Sequence, residues 1–453
     1  MNPNSTDLPL NEKSEQQALT QPSTDECIGK VDCNHPRRNN TRRKRFHILI
    51  ATLVGIWITF KLISSQVFYR FGGYQHKSMM VMEWPIPPDV TVDHCTEWDD
   101  KAAFRKIRPG AVLHEPYSAF ATFELPVSSE KLFLLSRGLS AGAVTIVNGE
   151  EEGDTAKVVV VARYRAYDAL DWVKVCAIDR EEDEHGVGIF ATRWARHHRN
   201  SVHFDVTVYL PKGKDGAVLN VKNFETDLPL YHHHVGDLGS HVNFDAISLK
   251  SENSAIFVES LDATKAYLET ENSPIDGSFN VTSSLALHTQ NAHIKVRLNL
   301  INNPDHDPTE VTVTTSNAPI RAGVNLVSTA SDSVGGKFHV AANTANSGID
   351  VRVHEQPVSS AFFLDAHTSL APAFIELAPA FEGTFQLETS LKRPVLRYDA
   401  DAKDPAGKGR RRDVQIRMAG AAVRGSASWS GEEGVALGNV NVATSLSAVT
   451  LKL

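Results

Sequence analysis

One short unit, Asn-[Ser/Ala]-x-Ile, comes back five times in the second half of this 453-residue chain. The copies read NSAIF, NSPID, NAHIK, NAPIR and NSGID, and they begin at Asn253, Asn272, Asn291, Asn317 and Asn346. Their spacings are 19, 19, 26 and 29 residues, the wider gaps holding the polar stretches DHDPTE and STASDSVGG. A single unit of this size cannot bury an apolar face, so neighbours must stack into one continuous core. Asn at a fixed place suits a sharp turn, because it tolerates the left-handed backbone region and bonds its own backbone. The small residue after it lets adjacent turns lie close together.

The stretches between units alternate apolar and polar residues, as do earlier runs such as FATFELPV, AKVVVVARYRA and SVHFDVTVYLP. That period of two is the strand signal. The fold class expected is mainly β. Residues 116–453 should form a parallel β-solenoid-like outer domain with rungs about 4.8 Å apart. A β-sandwich suits the same strand spacing and is the alternative.

A second constraint lies upstream. Phe46 to Phe60 reads FHILIATLVGIWITF without a formal charge, and after Lys61 the apolar run continues to about residue 70. With Lys61 snorkelling at the interface, residues 46–70 are long enough for one transmembrane helix. Arg37, Arg38, Arg42, Arg43, Lys44 and Arg45 precede it. The positive-inside rule then places residues 1–45 in the cytosol as a disordered tail, a single-pass type II arrangement. Residues 71–115 are expected to be a stalk or lead-in, stiffened by WPIPPDV.

The basic residues cluster ahead of the span, so the outer part is more acidic than the −8 of the whole chain. That excludes nucleic acid as a partner, since a phosphate backbone needs a positive field. Cys27 and Cys33 fall in the expected cytosolic tail, whereas Cys95 and Cys176 fall beyond the span, where one disulfide is permitted. Two buried thiols are the alternative. Asn280-Val281-Thr282 is a glycosylation sequon in the outer domain, while the sequons at Asn4 and Asn39 lie in the tail.

The runs SVHFDVTVYLP and LNVKNFETDLPLYH, followed by the Asn-[Ser/Ala]-x-Ile units, resemble adhesin-like β-solenoid proteins. The chain is similar to a fungal family of single-pass membrane proteins whose outer domain is one of unknown function. The resemblance covers roughly residues 115–453 and implies architecture; it brings no catalytic residues.

Several clusters in the sequence have the residue types that chemistry needs. Asp399-Ala400-Asp401 has the D-x-D form of a sugar-nucleotide metal site, but it falls in a polar stretch without a βαβ pattern. His232 and His234 would share one side of a strand, yet zinc would need a further ligand such as Asp237 or His241. Glu259, Asp262, Glu269 and Glu271 are candidate carboxylates for polysaccharide hydrolysis, with no spacing that selects two of them. Arg410-Arg411-Arg412 reads as an exposed basic loop or a processing site. The expectation is a non-catalytic, membrane-tethered, adhesin-like interaction protein without a cofactor. It would meet cell-wall polysaccharide or a protein partner at the cell surface or in the secretory lumen. The alternative is a carbohydrate-active enzyme of the secretory pathway.

Overall fold

The computed structural model describes residues 84–98, 117–192, 201–430 and 437–453. All of them belong to the second of the chain's two units, Val81–Leu453. The expected tail over 1–45 and span over 46–70 lie outside the described residues. Among the described residues no helix is long and apolar enough to cross a membrane. They are nearly all β: twenty-six strands and two short 3-10 turns, Tyr167–Trp172 and Lys214–Gly216.

The strands form two stacks. The first runs β2 (Tyr117–Pro126), β5 (Thr155–Tyr164), β8 (Val202–Lys212), β4 (Ala141–Glu152), β10 (Tyr231–Asp237) and the leading half of β12 (Ile256–Glu269). It continues through the leading half of β13 (Ile275–His288), β14 (Ile294–Asn302), β16 (Ile320–Ser328) and β18 (Ile349–Glu355). It ends with β20 (Ala373–Glu376), β26 (Val449–Lys452) and β22 (Val395–Arg397).

The second stack begins with β1 (Thr91–Cys95), β6 (Val173–Asp179), β7 (Glu184–Ala191), β3 (Lys131–Gly138), β9 (Leu219–Asp227) and β11 (Val242–Lys250). The trailing halves of β12 and β13 follow, then β15 (Thr309–Thr314), β17 (Lys337–Asn343) and β19 (Ala361–Thr368). Last come β25 (Gly438–Thr444), β21 (Gly383–Thr389), β24 (Ala422–Trp429) and β23 (Arg412–Ala419).

From β8 to β22 in the first stack, and from β7 to β21 in the second, every pairing is parallel. The chain passes from the second stack through an Asn turn into the first and returns at the opposite corner. A β-sandwich would instead pair its strands antiparallel. Among the described residues antiparallel strands occur only at the ends, where β2, β5, β1 and β6 close one side and β24 and β23 the other.

The Ile of each repeat unit explains the stacking. Ile256, Ile275, Ile294, Ile320 and Ile349 are in direct register and fully buried. At roughly 2 kcal/mol for each such side chain removed from water, this column is a main support of the core. Two residues before each turn Asn lies a second inner column, Ser251, Thr270, Thr289, Thr315 and Thr344, also buried. Its hydroxyls donate to backbone carbonyls of the turns, for instance Thr315 to Ala292 at 3.1 Å and Thr344 to Ala318 at 3.2 Å. Buried carbonyls need such donors.

The Asn residues themselves do something other than expected. Among described non-glycine residues, positive φ occurs at Asp183, Asp215, Ser240, Ser333 and Ser359, so none of the five turns is left-handed at its Asn. Their amides form a ladder along the corner instead. Asn272 donates to Asn253 and Asn291 to Asn272, each at 2.7 Å; Asn317 donates to Asn291 at 2.6 Å and Asn346 to Asn317 at 2.5 Å. Each of the three inner amides, Asn272, Asn291 and Asn317, both donates to and accepts from a copy of itself one rung away, which explains Asn at a parallel corner without any special backbone.

The lead-in expected over 71–115 differs in part. Residues 84–95 lie on the outer face of the second stack and end in β1, paired with β6. Trp84, Ile86, Val90 and Val92 cover Phe133, Leu135, Ile178 and Phe190 there. β3 therefore reads as the unbroken apolar run LFLL, because both of its faces are buried.

Candidate functional site

Beyond that strap, the outer face of the second stack is open and carries a shallow groove of about 330 Å³. Its geometry follows from the register. Ala246, Lys265, Ser284 and Glu310 occupy one column across four rungs, and Ser248, Tyr267, Ala286 and Thr312 the next. Lys265 and Tyr267 thus stand side by side, two residues apart on one strand, with only Ala or Ser on the rungs above and below. Small neighbours leave both side chains reachable from solvent. Glu225 and Lys131 close one end of the groove and Glu310 lies toward the other.

The polar groups here differ in how fully they are engaged. Lys131 is paired with Glu184 at 2.8 Å, and Arg180 approaches Glu225 at 3.4 Å. The Tyr267 hydroxyl donates to Glu269 at 2.8 Å, and the Lys250 ammonium lies 5.5 Å from the centre of its ring. Desolvation, then the bond to Glu269 and its charge, raise the Tyr267 phenol to about 12, so it stays a neutral donor. Lys265 has no ion-pair partner among the described residues. An aromatic ring, an unpaired ammonium and hydroxyls from Ser248, Ser284 and Thr312 can hold an extended polar chain by stacking and hydrogen bonds.

The residues singled out from the sequence are scattered. Cys95 and Cys176 face each other across β1 and β6 and are joined, with S–S 2.07 Å and Cα–Cα 3.9 Å, pinning the strap to the sheet. Asn280 is half-buried in a second amide ladder. It donates its side-chain nitrogen to Asp262 at 2.5 Å and accepts from Asn299 at 2.6 Å, and Asn325 donates to Asn299 at 2.9 Å. The nitrogen that a glycan would occupy is therefore already in use in the folded chain.

The histidine run resolves into three roles. His233, not His232 or His234, is the buried one, set at the head of the Ile column opposite Ile256. Its Nδ1–H donates to the Tyr231 carbonyl at 3.0 Å and its Nε2 accepts from Thr226 at 2.8 Å. Burial pushes it down to about 4. His234 stacks on Phe257 and meets Glu259 at 3.1 Å, while His232 is exposed. Among the described residues no cluster of His, Cys, Asp and Glu is placed to hold a metal ion.

The candidate carboxylates are apart as well. Glu259 meets His234, Asp262 belongs to the amide ladder, Glu269 accepts from Tyr267, and Glu271 sits on an exposed turn. Asp399 accepts from the backbone of Asp401 in an exposed turn. The Arg410–Arg412 run is less exposed than expected. Arg410 pairs with Asp404 at 3.0 Å, holding that carboxyl well below the usual range, and Arg412 folds inward over Trp429, donating to the Phe381 carbonyl. Trp429 is buried, its indole N–H given to Pro379, and Trp194 lies outside the described residues.

Sequence reading missed the groove. Lys265 and Tyr267 fall inside the alternating stretch before a repeat unit, and what marks them is the small residues 19 positions either side, which only the register reveals.

No family model matches the chain, and no curated protein does. The fungal likeness expected from the motifs therefore has no counterpart there. Solved structures that match include a "putative cell adhesion protein" from Clostridium sporogenes, 8% identical over 74% of this chain and 98% of that one, at a TM-score of 0.17. Another is a "putative adhesin" from Parabacteroides merdae, 6% identical over 56% of this chain and 93% of that one, at 0.24. Superpositions this loose carry no argument, and the architecture rests on the strand pairing itself.

Proposed function

We propose that this chain is a β-solenoid held at a membrane by one N-terminal span, and that it acts as a non-catalytic, adhesin-like interaction protein. The cell surface or the secretory lumen is its place, and the outer face of the second stack is its contact surface. The observation that carries the reading is the pairing of Lys265 and Tyr267 on an open face of small residues. A solenoid face is long and shallow, which fits an extended polymer better than a compact metabolite. Sugar rings would stack on Tyr267, with the hydroxyls of Ser248, Ser284 and Thr312 as hydrogen-bond partners. Cell-wall polysaccharide is the ligand class that this lining fits best.

The test uses the full chain in detergent against a panel of cell-wall polysaccharides, with binding and release of reducing ends read from the same samples. Saturable binding without cleavage, weakened roughly tenfold by Tyr267→Ala, is the expected result. Cleavage would overturn the non-catalytic reading in favour of a carbohydrate-active enzyme. Binding indifferent to both Tyr267→Ala and Lys265→Ala would remove the groove from it.

A further inference from the structure

The last strand of the second stack is left open. β23 pairs only with β24, in unbroken register from Arg412↔Trp429 to Ala419↔Ala422. Its other edge has no backbone partner among the described residues. Natural edges are usually blunted by proline, a bulge, charged side chains or a covering segment; β23 has neither a proline nor a bulge, and its charges at Asp413 and Arg417 are of opposite sign. Its residues alternate, with Asp413, Gln415 and Arg417 on one face and Val414, Ile416 and Met418 on the other. Val414 packs partly on the core, but Ile416 is 38% exposed and Met418 77%.

The sequence of this edge is complementary to itself when reversed. Laid antiparallel on a second copy with Gln415 opposite Gln415, it places Asp413 opposite Arg417 and Val414 opposite Ile416. Twofold symmetry repeats each pairing, so two opposite-charge pairs and two apolar pairs form at once. The neighbouring twofold registers lose the charge match: an axis at Val414 sets Asp413 opposite Gln415 and Arg412 opposite Ile416, and an axis at Ile416 sets Arg417 opposite Gln415. We infer that the chain pairs with a second copy of itself through β23, forming a continuous antiparallel sheet across a twofold axis at Gln415. The exposed Ile416 and Met418 are then the apolar margin that this contact covers. The contact lies on the end strand, clear of the Lys265–Tyr267 groove, and does not depend on the ligand proposed for it.

Cross-linking tests the register directly. With the full chain in detergent under mild oxidation, Gln415→Cys should yield a disulfide-linked dimer well above the background of the parent chain. Directly opposed strand residues have Cα atoms about 4.5–5.5 Å apart, within disulfide reach. Asp413→Cys should stay at background, since its symmetry mate lies four residues away, roughly 13 Å along the strand. Charge exchange supplies the second arm, read as the dimer dissociation constant by sedimentation. Arg417→Asp should weaken the dimer about tenfold or more, and adding Asp413→Arg should restore it. A chain that stays monomeric, a dimer indifferent to Arg417→Asp, or equal cross-linking at 413 and 415 would each overturn the proposal.

Discussion

The rungs from Ser251 to Glu355 and those from Ala361 to Leu453 are built alike inside and differently outside. In both, a buried Thr or Ser column lines the turn: Thr289, Thr315 and Thr344 in one region, Thr368, Thr389 and Thr444 in the other. The exposed corner changes. Where the first region has its ladder of five Asn, the second has Leu370, Leu391 and Leu446, all exposed. The turn backbone is continuous through the change, since the N–H of Asn346 bonds Ser316, that of Leu370 bonds Ala345 and that of Leu446 bonds Ser369. The hydroxyls of Thr368 and Thr444 donate to turn carbonyls as those of the first region do, while that of Thr389 has no hydrogen-bond partner among the described residues; the corner amide is one of several acceptable surfaces. The regions also differ in order. The first climbs one rung per repeat, but β25 lies between β19 and β21, and β26 between β20 and β22. The chain builds the outermost rung first and then returns to fill the slot beneath it.

That return makes the slot the place to break the comparison most sharply. Val442 is buried between Ala366 of β19 and Leu387 of β21. Val442→Asp puts a charge into the apolar core between two strands that meet only through it. The expected cost is several kcal/mol, on the order of 4. Hydrogen exchange should show β21, β24 and β23 losing protection together while β13 to β16 keep theirs. Uniform loss across both regions would mean that the stack unfolds as one unit and that order in the chain has no local consequence.

The other end of the Ile column offers a gentler perturbation. His233 takes the place that Ile holds in the regular rungs, and its folded value of about 4 is below the free value of 6.5. The unfolded chain therefore binds the proton more readily. This contribution is intact above pH 6.5 and is lost as the pH falls toward 4, by about 3 kcal/mol in all. His233→Ile should flatten that part of the denaturation profile even though it strands the Thr226 hydroxyl. An unchanged slope between pH 7 and 5 would assign the acid sensitivity to other groups.

What could be read from the sequence follows the same division. Where rungs succeed one another in order, a fixed spacing recurs and the stacked β architecture is visible in Asn253 to Asn346. A left-handed turn accounts for Asn one position at a time, whereas the amide ladder exists only between copies and needs the stacking to be seen. The Thr column was equally periodic, at Thr270, Thr289, Thr315 and Thr344, but Thr in an alternating run looks like any strand residue until its burial is known. Past Glu355 the signal fades for two physical reasons: the corner residue is Leu, and the inserted rung breaks the link between sequence distance and spatial distance. The groove was illegible for a related reason. Lys265 and Tyr267 are ordinary in their own strand and become distinctive only beside Ala246, Ser248, Ser284 and Ala286.

The smallest effect tests whether the corner amide matters at all. Asn291 bonds Asn272 on one side and Asn317 on the other, so Asn291→Leu breaks the ladder at its centre and removes two exposed bonds. Water replaces most of what is lost, and the expected cost is about 1 kcal/mol, read as a shift in denaturation midpoint. Leu446→Asn, made between Leu370 and Leu391, offers its amide no partner on the adjoining rungs and should change stability by less than about 0.5 kcal/mol. Equal effects at the two sites would mean that the amide ladder adds nothing beyond solubility. A clear difference would show that the five Asn act together, each stabilised by the next, and that the leucine corner was left free for another use.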